Sequence, residues 1–108
     1  MSNDTLFDIE IDKIARDFRQ FHEKHPEVYR ELLRLTYEWK AAGNKKLGAR
    51  MLFERLRWEW RTRADMRDKY DFKLNNNYIA LYAREIMKHH PDLDGIFETR
   101  ERTSQVTE

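Results

Sequence analysis

The chain has no cysteine. Disulfides and thiolate metal sites are excluded, and nothing points to an oxidising compartment. Glycine is scarce: Gly43, Gly48 and Gly95 stand alone, so no glycine-rich loop can wrap a phosphate. Serine occurs only as Ser2 and Ser104, near the two ends. With cysteine missing too, the usual nucleophile arrangements have no residue to start from. No window approaches the roughly 18 consecutive apolar residues that read as a membrane span. The start, MSNDTLFDIEIDKIARDF, carries acids where a secretory leader has a basic flank and an apolar run. These absences lead to the expectation of a cytoplasmic protein without membrane contact.

What is present describes a small helical domain. A chain of 108 residues makes one domain with one modest core. Charged residues are 38%, yet 13% are aromatic, which is too many for a disordered chain. The expected organisation is an unstructured start at 1–5, a single helical domain at 6–102 and a disordered tail at 103–108. Ile11, Ile14, Ala15, Phe18, Phe21 and His22 follow a helical period between Leu6 and His25. Pro26 ends that helix and suits the first turn of the next. Residues 26–42 form a second helix with Val28, Leu32, Leu35 and Trp39 in line, closed by Gly43 as a left-handed cap. After a turn at 44–48, residues 49–63 form a third helix and 64–70 a charged connector. Asp94-Gly95 is a turn signal. Residues 96–100 read as a short strand that would pair with Asp71–Leu74 as a C-terminal hairpin.

Net charge is only +1, but it is unevenly placed. Between residues 44 and 63, Lys45, Lys46, Arg50, Arg55, Arg57, Arg61 and Arg63 face only Glu54 and Glu59. On one face, such an excess binds phosphate; dispersed, it is a solvated helix surface.

The segment DFKLNNNYIALYAREIMKHH, residues 71–90, is the most informative. Its asparagines are N-cap residues, because the side-chain oxygen accepts from a first-turn N–H. Ile79, Tyr82, Ala83 and Ile86 should face a core, and Asn77, Leu81, Arg84 and Lys88 form a second stripe. The element order fits a mainly α, four-helix domain of winged helix-turn-helix type. Residues 49–63 would brace, 76–90 would enter the major groove, and a hairpin would touch the backbone. Asn77 and Arg84 are types that read adenine and guanine edges, and Lys88 suits phosphate. Lys45, Lys46, Arg50, Arg57, Arg100 and Arg102 complete the expected nucleic-acid-binding set. Asp65, Asp68 and Asp71 put acid near the same place.

Other constellations are weaker. His22 and His25 stand at metal-chelating spacing without a third ligand, and packing or capping explains them better. His89-His90 closes a helix, where a cation suits the dipole. Glu59 with Asp71-Phe72-Lys73 has the layout of some metal-dependent nucleases, but that layout needs a mixed sheet. The count and spacing of the aromatics place most in the core, Trp58 among them; an exposed Trp58 would stack on a base or anchor a protein partner. No enzyme activity, metal or cofactor is expected.

The runs FHEKHPEVY (21–29), LGARMLFERLRWEW (47–60), FKLNNNYIALYAR (72–84) and HHPDLDGIFETRER (89–102) resemble a family of short proteins found in phages, prophages and plasmids. The family has no assigned activity, so no functional residue carries over. The resemblance implies a mobile-element origin and the cytoplasm of a host cell. Two functions fit: a DNA-binding regulator, a homodimer among its forms, or a protein-interaction module that inhibits a host or defence enzyme.

Overall fold

A computed structural model describes residues 2–67 and 72–98, with the side chains of the first helix described from Ile9 onward. It is mainly helical. The helices are α1 (Ser2–Lys24), α2 (Pro26–Ala41), α3 (Ala49–Thr62), the single turn α4 (Ala64–Arg67) and α5 (Ile79–His89). Short 3-10 turns at Asn76–Tyr78 and Pro91–Leu93 flank α5. Two boundaries differ from expectation. Helix α1 begins at Ser2 rather than Leu6. The connector at 64–70 contains the extra turn α4, because Met66 is drawn into the core.

The core is assembled from one stripe of each long helix. Val28, Leu32, Leu35 and Thr36 of α2 meet Leu52, Phe53, Leu56 and Trp60 of α3 and Tyr82, Ala83 and Ile86 of α5. Phe18 of α1 joins them edge-on to Tyr82, with ring centroids 4.8 Å apart. Each fully buried Leu, Ile or Phe is worth about 1.5–3 kcal/mol relative to exposure. The Thr36 hydroxyl is buried because it donates to the Leu32 carbonyl one turn earlier, at 2.8 Å.

Gly43 ends α2 at φ +100°, and its N–H donates to the Lys40 carbonyl at 2.9 Å. The chain then reaches Leu47, which forms a parallel bridge with Phe97. The Leu47 N–H donates to the Ile96 carbonyl at 2.9 Å. Among the described residues this is the only β pairing, so Phe97 pairs with Leu47 and not with the 71–74 segment. Burial sets that choice: Leu47, Ile96 and Phe97 all close the same end of the core. Residues 71, 99 and 100 of the expected hairpin lie outside the described residues.

One carboxylate is deeply placed. Glu59, 7% exposed, faces Arg34 of α2 at 2.8 Å, Arg55 at 3.3 Å and Arg63 at 3.6 Å. Burial alone would lower the Arg34 pKa, but its bonds to Glu31 and Glu59 outweigh this and raise it. This is the polar tie between α2 and α3. Glu59→Ala should lower stability by about 2 kcal/mol, the range of hydrogen bonds to charged groups; chemical denaturation of the variant checks it.

The Tyr82 hydroxyl is buried and finds no hydrogen-bond partner among the described residues. Burial, then the nearby Tyr78 and Glu27, raises its pKa far above the ordinary tyrosine value of 10.0. The unfolded chain therefore loses this proton first, and stability falls as pH rises beyond 10.0. Tyr82→Phe should leave stability at neutral pH unchanged or raised by up to about 1 kcal/mol and flatten the alkaline decline, as read from unfolding midpoints across pH.

Candidate functional site

Residues 72–76, which lead into α5, lie beside the C-terminal half of α3. Between them lies a groove of about 630 Å³. Arg57 and Arg61, one helical turn apart, line one wall; Arg67 of α4 and Lys73 stand around the mouth with Asn75 and Asn76. Trp60 and Phe72 make part of the lining aromatic. They meet edge to face at 5.4 Å, and the His25 ring stacks on Phe72 at 3.9 Å. No carboxylate lines the groove among the described residues. Asp65 is engaged by Arg63 at 2.9 Å, while Asp68 and Asp71 lie outside the described residues.

Arg57 holds the groove in shape. Its guanidinium donates to the Leu74 carbonyl at 2.9 Å and to Asn76 Oδ1, and lies 5.7 Å from the centre of the Phe53 ring. Asn75 then starts the turn into α5: its Oδ1 accepts from the Asn77 N–H at 2.9 Å. An asparagine cap is present, but Asn75 caps the 3-10 turn Asn76–Tyr78, while Tyr78 at the N-cap of α5 makes no side-chain cap bond. Arg61, Arg67 and Lys73 make no ion pair among the described residues. Three such cations beside Trp60 and Phe72 in a concave site concentrate positive potential there.

The expected binding residues divide into four places. Arg57 lies in the groove. Arg84 and Lys88 are exposed one turn apart on α5, away from buried Tyr82, Ala83 and Ile86, and Asn77 is exposed in the 3-10 turn that precedes the helix. Arg50 is exposed at the start of α3, outside the groove. Lys45 and Lys46 line a separate hollow with Lys40, Asp92 and Asp94. There Lys46 donates to the Gly95 carbonyl at 3.0 Å and Lys40 to the Asp92 carbonyl at 2.7 Å, so the charge is mixed and partly committed. Arg100 and Arg102 lie outside the described residues.

Arg61, Arg67 and Lys73 are additions to the expected set. The i, i+4 step from Arg57 to Arg61 is the signal that could have found the first; Arg67 and Lys73 reach the groove only through the fold. Trp58 also departs from expectation, at 63% exposed. Trp58 and Trp60, two positions apart, cannot share a helix face, and the core takes Trp60.

The remaining constellations are structural. His22 stacks parallel to Phe18 at 5.9 Å, and His25 packs on Phe72. Glu59 is held by arginines and is not free for the nuclease-like layout, whose Asp71 lies outside the described residues. No cluster of three or more His, Asp or Glu side chains suited to a metal occurs among the described residues. None of the described helices is long and apolar enough to cross a membrane. No family model matches the chain, and no curated protein or solved structure matches it either.

Removing the Arg57 clamp should loosen the groove more than the core. Arg57→Ala is expected to speed amide exchange over residues 72–78 by at least about tenfold, a loss near 1.4 kcal/mol. Unchanged exchange there would mean that the clamp carries no such role.

Proposed function

We propose that the protein binds duplex nucleic acid, with the cationic groove on the phosphate backbone. The observation that carries this reading is the convergence of Arg57, Arg61, Arg67 and Lys73 beside Trp60 and Phe72 without a lining carboxylate among the described residues. In this reading α5 is the recognition helix of a winged-helix-like unit and α3 braces it. The Leu47–Phe97 bridge supports that order, since it ties the chain before α3 to the chain after α5. Arg84 and Lys88 address base edges and phosphate from the exposed side of α5, with Asn77 beside them in the turn that precedes it. The role is regulatory, in a phage or other mobile element and in the cytoplasm of its host, without catalysis or a cofactor.

The exposed Trp58 favours a second reading, a protein-interaction surface on the outer side of α3 that blocks a host or defence enzyme. Substitutions separate the two. Arg61→Ala with Lys73→Ala should weaken binding of a short duplex and reduce the slope of log K against log salt by nearly two, at about 0.9 for each phosphate left without its cation. Trp58→Ala should leave that slope unchanged. Duplex affinity insensitive to the double change, or absent at low salt, sinks the nucleic-acid reading.

A further inference from the structure

The polar side chains that line the groove between α3 and residues 72–76 are left with donors. Arg61, Arg67 and Lys73 are exposed there and make no ion pair among the described residues. The acceptors beside them are already engaged within the protein. The Leu74 carbonyl and Asn76 Oδ1 both take N–H groups of Arg57, and Asn75 Oδ1 takes the Asn77 N–H. With the oxygens so held, the two amide groups have N–H donors to offer. From this we infer that the groove is a site for a compact oligophosphate, recognised through its phosphoryl oxygens alone, and that such an anion and a nucleic-acid backbone exclude one another there.

The donor set selects the chemistry of the ligand. A phosphoryl group presents acceptors and negative charge. A base edge presents donors as well as acceptors, and here its donors would face donors, desolvated and unpaired. The rings of the groove give a base no better hold. Trp60 is 5% exposed. Phe72 carries the His25 ring on one face at 3.9 Å, and Trp60 and Phe21 meet it edge to face at 5.4 and 5.5 Å. Neither ring is the open platform on which single-strand binders stack successive bases.

Shape points the same way. The groove encloses about 630 Å³, inside the roughly 300–1,000 Å³ range of small-ligand sites. A duplex strand is convex and spaces its charges one per about 3.4 Å of helical rise. A short chain of phosphates gathers its charges in one compact ligand, opposite Arg61, Arg67 and Lys73. The hydrogen bonds formed are charge-assisted, the stronger kind. Such a chain comes either as free inorganic oligophosphate or as the triphosphate of a nucleotide. The groove treats the two alike, because it reads the phosphates and not the base.

Calorimetric titration of the full chain with tripolyphosphate, a nucleoside triphosphate and the unphosphorylated nucleoside tests this. The first two should bind within about threefold of one another, and the nucleoside should not bind. Arg61→Ala with Lys73→Ala should weaken both ligands at least about tenfold. Lys45→Ala with Lys46→Ala, an equal loss of charge outside the groove, should leave both affinities unchanged. All four side chains are exposed, so each variant should keep a cooperative unfolding transition. Equal weakening by the two pairs would mean diffuse attraction and would overturn the proposal. A nucleoside triphosphate that binds far more tightly than tripolyphosphate also overturns it, as does tripolyphosphate that fails to bind. The oligophosphate site rests on the same assignment of the groove to phosphate as the nucleic-acid reading, yet the two fail separately. A chain that binds duplex through Arg61 and Lys73, with tripolyphosphate unable to displace it, loses the oligophosphate site alone. One that binds tripolyphosphate there and no duplex loses the nucleic-acid reading alone.

Discussion

The Arg57 guanidinium, held between the Leu74 carbonyl and Asn76 on one side and the Phe53 ring on the other, fixes the approach to α5 against the middle of α3. Much depends on that placement. Leu74 enters the core, Asn75 is brought to the position where it can cap, and Lys73 and Arg61 come to line the same groove. A lysine at position 57 would offer only a compact point charge, whereas the planar fork of arginine reaches two acceptors at once.

Helix α3 is the structural axis of the molecule because its two sides have different work. Leu52, Phe53, Leu56 and Trp60 bury one side, while Met51, Arg55 and Trp58 leave the other exposed. Glu59 sits at the boundary and converts three nearby arginines into a tie between α2 and α3. The chain is nearly neutral overall, at +1, yet its charge is sorted: acids begin α1 and arginines cover α3. That sorting leaves a groove lined by cations and by no carboxylate among the described residues.

The helical architecture is legible in the sequence because periodicity is a local property. Of Ile79, Tyr82, Ala83 and Ile86, expected to face the core, three are buried and Ile79 is half-buried. The asparagine cap and the left-handed Gly43 and Gly95 can be read for the same reason. The site is only partly legible. Arg67 and Lys73 line the same groove as Arg57 through tertiary placement that no local spacing encodes, and Lys45 and Lys46 leave the expected set because Asp92 and Asp94 lie beside them. Trp58 defeats a reading by apolar character, because its angular position two residues before Trp60 decides its exposure. The partner of Phe97 is not encoded locally either, since it follows from burying Leu47 and Phe97 together, a long-range choice.

The central claim is that the groove between α3 and the approach to α5 receives a phosphate backbone, with α5 beside it on the bases. Nuclear magnetic resonance of the isotope-labelled chain, titrated with a short duplex, reads this residue by residue. The account predicts that the largest shift changes fall at Arg57, Arg61, Lys73, Asn75 and Asn76, with a second set at Asn77, Arg84 and Lys88, and little at Lys45 and Lys46. Changes centred on the Lys45–Lys46 hollow, or none at saturating duplex, would contradict it.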